Sequence, residues 1–275
     1  MQTLTPVVGA SLGFAKTLFT RGTDCFGLSE VNQVFRINLN PESIPPIPFS
    51  EAELKRAREL GQYLILQINT AKDGESLTMK KIHNQFDNKL GDGKLLYDTD
   101  WYAKEPFFTE DIPGLGWKLV SREVIPGSMS KDYIGQTKSI SDYLVNEVYE
   151  GEELPDVYQV AVDEFKNRKA ELEELRDSDW KKCAEELVGL RLNILFREKP
   201  VEVLYSLIVQ HEINHERLLS NTYTWTSVRS SNGNLVNVGN CDSNGVNVDN
   251  NEPRNSNDNL GVRFSRSVYK RTLFM

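Results

Sequence analysis

Leu235-Val236-Asn237-Val238-Gly239-Asn240-Cys241-Asp242-Ser243-Asn244-Gly245-Val246-Asn247-Val248-Asp249-Asn250-Asn251 is the stretch on which the fold turns. The chain holds 22 asparagines, and 11 of them fall between Asn232 and Asn259. Asparagine-rich low complexity alone suggests a disordered tail. That reading fails here, because Leu235, Val236, Val238, Val246 and Val248 are interleaved and Gly233, Gly239, Gly245 and Gly261 recur at turn-like intervals. Trp225 and Phe264 bracket the segment with large apolar groups. In a strand, alternating Val and Asn sends valines toward a core and asparagines to the opposite face. Asn and Gly also suit turns, but turns alone do not need Asn237 and Asn247, each flanked by valines. A face of one short side chain with both donor and acceptor groups reads as a recognition surface.

Outward from this segment the pattern is α+β. The last 55 residues have β character, at 222–228, 235–238, 246–248 and 262–265. Before them lies a helical zone from Val157 to about Phe196, interrupted at Pro200 and resumed from Val201 to Leu219. Its charges are most simply a solvated face. Helices are also expected over Lys131–Tyr149, Leu77–Phe86, and from Ser50 to about Gly61, where Ser50 and Glu53 have capping-box spacing. Tyr63–Ile68, Leu95–Tyr97 and Trp117–Ser121 read as strands. Residues 1–50, ending in Pro41, Pro45, Pro46 and Pro48, read as a lead-in to a domain over 51–275; the family resemblance given below implies that 157–219 is a helical insertion and 230–265 a variable region.

Bulk properties narrow the function. A length of 275 residues gives ample core, and 39% apolar with 26% charged residues is ordinary for a globular protein. The net charge of −8, with no compensating Lys/Arg cluster, argues against a nucleic-acid partner. No run of about 18 apolar residues exists to span a membrane. The N-terminus makes a poor secretory signal, so the expected setting is cytoplasmic or virus-associated. Cys25, Cys183 and Cys241 are spaced for neither a disulfide framework nor a metal knuckle.

Two motifs suggest other chemistry. His211-Glu212-Ile213-Asn214-His215 has the zinc-peptidase spacing, which on a helix turns both histidines to one side. A catalytic zinc needs a third protein ligand, and His83 is far upstream. The plainer reading is a polar helix face; a zinc-dependent hydrolase using His211, Glu212 and His215 is the runner-up. Asn240 to Gly245 resembles half of an EF-hand loop, but its twelfth position is Asn251 and its flanks are β-like. No nucleophile elbow or phosphate loop is present.

The segments Tyr223-Thr224-Trp225-Thr226, Leu235 to Asn240, Asp242 to Val246 and Asn257 to Arg266 together resemble the variable region of proteins diversified by diversity-generating retroelements. These have a C-type-lectin-like fold related to formylglycine-generating enzymes. Leu115 to Val120, with Pro126 and Gln136, is similar to the family's less variable scaffold. In that family a reverse transcriptase errs at template adenines, and asparagine codons are the usual targets. The resemblance implies ligand contacts at Asn237, Asn240, Asn244, Asn247, Asn250, Asn251, Asn255, Asn257 and Asn259, with Cys241, Asp249 and Arg254 as lesser candidates. It implies framework roles for Trp225, Gly261, Val262 and Phe264. It further implies a protein or other macromolecular ligand, no catalytic residue, no cofactor and no metal in the variable surface. The paired cysteines of the enzyme relatives are absent.

Overall fold

The computed structural model describes residues 9–20 and 22–267. The first eight residues of the expected lead-in, and 268–275 of the domain, lie outside them. Ten strands are described: β1 (Cys25–Phe26), β2 (Gln62–Gln67), β3 (Lys89–Leu90), β4 (Gly93–Lys94), β5 (Gly116–Val124), β6 (Tyr223–Arg229), β7 (Leu235–Asp242), β8 (Gly245–Asn251), β9 (Leu260–Gly261) and β10 (Arg263–Ser267). The helices are α1 (Leu12–Leu18), α2 (Leu28–Phe35), α3 (Glu51–Glu59), α4 (Met79–Gln85), α5 (Pro106–Thr109), α6 (Tyr133–Tyr143), α7 (Asp156–Ser178), α8 (Trp180–Gly189), α9 (Arg191–Phe196) and α10 (Pro200–Asn214). The chain is α+β.

One four-stranded sheet has the order β1-β2-β5-β10, parallel at β1–β2 and antiparallel elsewhere. All six residues of β2 are buried, which explains a continuous apolar run in place of alternation. The other four-stranded sheet, order β8-β7-β6-β9, holds the asparagine-rich strands. One core lies under β2, α10 and the valines Val236, Val238, Val246 and Val248. A second is built by the helices from Tyr133 to Phe196 against Trp225, Leu235, Leu260, Val262 and Phe264.

Several expectations are corrected. Residues 9–48 are no lead-in: β1 pairs with β2, and Phe19, Phe26, Val31 and Phe35 are buried in the first core, where Phe35 stacks on Tyr205 at 4.6 Å. Leu95–Tyr97 is not a strand; only Leu96 bridges, to Val246, because this segment runs along the edge of β8. The helical zone breaks after Ser178, where Asp179 leaves helical geometry and its side chain caps the next helix by accepting from Lys182 N. Helix α10 stops at Asn214 instead of Leu219, because His215 turns left-handed (φ 58°). The Ser50–Glu53 capping box is present, with both reciprocal bonds formed.

Candidate ligand-binding rim

The asparagine-rich strands meet in two tight connections. Between β7 and β8, Asp242 accepts from Asn244 N at 2.7 Å, an Asx turn that offers the backbone a local partner. Gly245 follows with φ +115°, and a Cβ there would meet the Leu96 carbonyl carbon and Tyr97 N at 2.6 Å each. Only glycine fits that approach. Between β6 and β7, Gly233 N donates to Ser230 O and Ser230 N to Asn234 O, at 2.9 and 2.8 Å.

Register decides which amides reach the surface. Asn237 pairs with Trp225 on one side and Asp249 on the other. It shares its face with Leu235, which belongs to the second core. That end of the face is covered, so Asn237 is only 2% exposed and its Nδ2 has no partner among the described residues. The expectation that Asn237 points outward is therefore wrong. Cys241 is likewise buried: a register shift between Gly239 and Asp242, with Asn240 left-handed at φ 47°, turns it into the first core. Burial pushes its thiol pKa up, as expected for an inert structural cysteine.

The remaining expected contacts form a rim around the sheet. Asn244, Asp249, Arg254 and Asn257 are exposed; Asn240, Asn247, Asn250, Asn251, Asn255 and Asn259 are half-buried. Asn247 donates through Nδ2 to the Tyr223 hydroxyl at 2.8 Å, a hydroxyl whose pKa burial raises and this bond partly restores. The backbone beneath the rim is clamped by framework. Tyr133 N donates to Pro253 O at 3.0 Å, Ser130 N to Asn257 O at 2.9 Å, and Tyr223 N to Asn259 O at 2.7 Å. Thus the carbonyls of Pro253, Asn257 and Asn259 are already satisfied by framework amides.

A concavity of about 390 Å³ lies at one end of this rim, where Asn250 and Asn251 meet Asn232, Asn234 and Glu252. Its far wall is Trp180 and Lys181, at the start of α8. Asn234 Nδ2 donates to Asn250 Oδ1 at 2.6 Å, and Asn232 Oδ1 accepts from Asn234 N at 2.9 Å. Sequence reasoning missed five of these groups, Glu252 among them. Asn232 and Asn234 belong to the same asparagine run, ahead of its Val-Asn alternation. Trp180 and Lys181 sit in a charged helical block and carry no local signal.

The open edge of β8 is sealed over Val246 to Val248. Val246 N donates to Leu95 O, and the carbonyls of Ser243, Val246 and Val248 accept from Lys94 N, Tyr97 N and Trp101 Nε1, at 2.9 to 3.1 Å. An edge strand with free backbone groups templates pairing with other chains, and segment 94–101 removes that opportunity.

The two histidines of the zinc-like motif do not share a helix face. His211 is within α10 with Nδ1 3.2 Å from Glu212 Oε1, whereas His215 is its exposed, left-handed cap. Among the described residues no group of three or more His, Cys, Asp or Glu side chains is placed to hold a metal ion. Asn240 to Gly245 is a β-hairpin turn, without the flanking helices of an EF-hand. Among the described residues no helix is long and apolar enough to cross a membrane. No family model, curated protein or solved structure matches the chain.

Proposed function

We propose that this protein is a binding module that displays a diversifiable rim on a rigid scaffold of C-type-lectin-like type, with sequence variation supplied by a retroelement and without catalysis. The observation that carries the reading is the division of the asparagine-rich segment. Its valines enter one core, its backbone bonds go to fixed framework, and ten of the twelve expected contact residues keep exposed or half-buried side chains. The segment Leu115 to Val120, likened to the family scaffold, supplies most of the first half of β5, which pairs with β10 next to the rim. Substitutions at the exposed positions Asn244, Asp249, Arg254 and Asn257 leave stability nearly unchanged, usually within about 0.5 kcal/mol each. Affinity then arises when aromatic anchors replace asparagines. The partner is a protein or other macromolecule.

A pooled library randomised at the codons for Asn244, Asn250, Asn251 and Asn257, displayed and panned against several unrelated proteins, tests this. Expected are folded binders that differ between targets. A library whose members mostly fail to fold contradicts it.

A further inference from the structure

We propose that Arg197 holds a small monovalent anion, chloride in ordinary salt solution, enclosed beside Tyr133 in the second core. This goes beyond the display reading and does not depend on it.

Charges buried in a folded chain are paired, because taking an ion out of water is costly. Three buried cations here follow that rule. Lys118 Nζ lies 2.7 Å from Glu202 Oε2, Arg263 Nη2 2.6 Å from Glu198 Oε2, and Arg266 Nη1 2.8 Å from Glu53 Oε1. Arg197 departs from it. The residue is 2% exposed, and among the described residues Tyr133 is the one titratable group whose charge acts on it. Burial pushes the Tyr133 phenol pKa up, so that neighbour is neutral at neutral pH. Burial also pulls the guanidinium down to about 10, which still leaves it protonated there. The core therefore encloses a positive charge with no carboxylate to balance it.

The guanidinium's own bonds show where the anion fits. Nε donates to Asn193 Oδ1 at 2.8 Å, and Nη2 is shared between Tyr133 O and Thr137 Oγ1 at 3.3 Å each. The Tyr133 ring covers one face of the group, its centre 3.7 Å from the guanidinium carbon. Nη1 has no partner among the described residues, so the anion lies on the Nη1 side of the fork. Two more buried donors of this core lack acceptors. Trp225 Nε1 belongs to an indole that meets the Tyr133 ring edge-on at 5.5 Å, and Asn237 Nδ2 belongs to the residue paired with Trp225 in register. Gln136 Oε1 and Glu198 Oε1 are buried acceptors without partners, but neither bonds to Arg197, and the Glu198 charge is held by Arg263.

A water on Nη1 would satisfy the donor and leave the charge uncompensated; an anion does both. One enclosed cation calls for one negative charge, and its near-complete enclosure suits a single halide better than a phosphate or sulfate. Arg197 ties α6, through Tyr133 and Thr137, to Asn193 of α9. Tyr133 N also donates to Pro253 O beneath the rim. The anion thus steadies the framework to which the rim is clamped.

The test has two arms, both on the full chain. Crystals soaked in sodium bromide are recorded at the bromine absorption edge. Thermal unfolding is followed across chloride concentrations, against gluconate at equal ionic strength. Expected are an anomalous peak within hydrogen-bond distance of Arg197 Nη1 and an unfolding temperature that climbs with the logarithm of chloride but not of gluconate. Arg197→Met should lose the chloride-specific rise; if that variant fails to fold, the bromide map of the parent decides alone. A water without anomalous signal at Nη1, bromide confined to the surface, equal responses to chloride and gluconate, or a chloride response unaltered in Arg197→Met each overturns the proposal.

Discussion

Arg263 Nη2 lies 2.6 Å from Glu198 Oε2, with both side chains all but inaccessible, and through this pair the two sheets are locked together. Arg263 belongs to β10 in one sheet, and its backbone N donates to Thr224 Oγ1 in the other at 2.9 Å. Glu198 also accepts from Ser227 N of β6 through its backbone oxygen, at 3.0 Å. Arg263 donates in addition to Ser206 Oγ of α10 at 2.7 Å. A scaffold that keeps its backbone while its rim changes needs such a clamp away from the rim.

Removing one member of a buried pair leaves an uncompensated charge, at a cost of about 3–5 kcal/mol. Glu198→Ala should lower the unfolding free energy obtained from urea titration by that much. The double variant Glu198→Leu with Arg263→Met should recover most of the loss. A loss below about 1 kcal/mol in Glu198→Ala would place the pair among weak surface pairs in effect.

Gly245 should be nearly intolerant of substitution. Both its φ of +115° and the 2.6 Å approach to the Leu96–Tyr97 backbone exclude a Cβ. Gly245→Ala should cost about 1–3 kcal/mol and break the Leu96–Val246 bridge, seen as faster amide exchange at Val246. Unchanged protection there would count against the sealed edge.

Acid should weaken the fold through Glu202. Burial alone would raise its carboxyl pKa, but Lys118 Nζ at 2.7 Å and the Lys199 backbone N hold it below the ordinary 4.5. A group depressed in the folded state stabilises above its unfolded pKa, and that contribution is lost as pH falls through the folded value. Stability should therefore be constant in this respect at neutral pH and decline below about pH 4.5. Lys118→Met should flatten that decline in denaturant titrations repeated across pH.

Much of the framework was legible in the sequence because it rests on local chemistry. The Ser50–Glu53 box, the β2 run and the valine periodicity of β7 and β8 each follow from short-range rules. What was not legible depends on distant covering. Nothing near Asn237 announces that its face will be covered, and the Val-Asn alternation looks the same whether that face is wet or buried. The bulge that turns Cys241 inward leaves no composition signal. Trp180 joins the rim only because α8 packs beside β6, a contact between segments over forty residues apart.

Asn237 and Asn257 differ by position, not by chemistry, and a matched pair of variants separates them most directly. Asn257→Tyr adds an aromatic to the exposed rim, where surface changes stay within about 0.5 kcal/mol. Asn237→Tyr forces the same ring into a covered site, where overpacking costs about 1–3 kcal/mol. Denaturant unfolding of both, beside the combined Asn244→Tyr and Asn257→Tyr variant, should show the rim variants near the parent and Asn237→Tyr well below it. Equal destabilisation at the rim would contradict a scaffold built to let those side chains change.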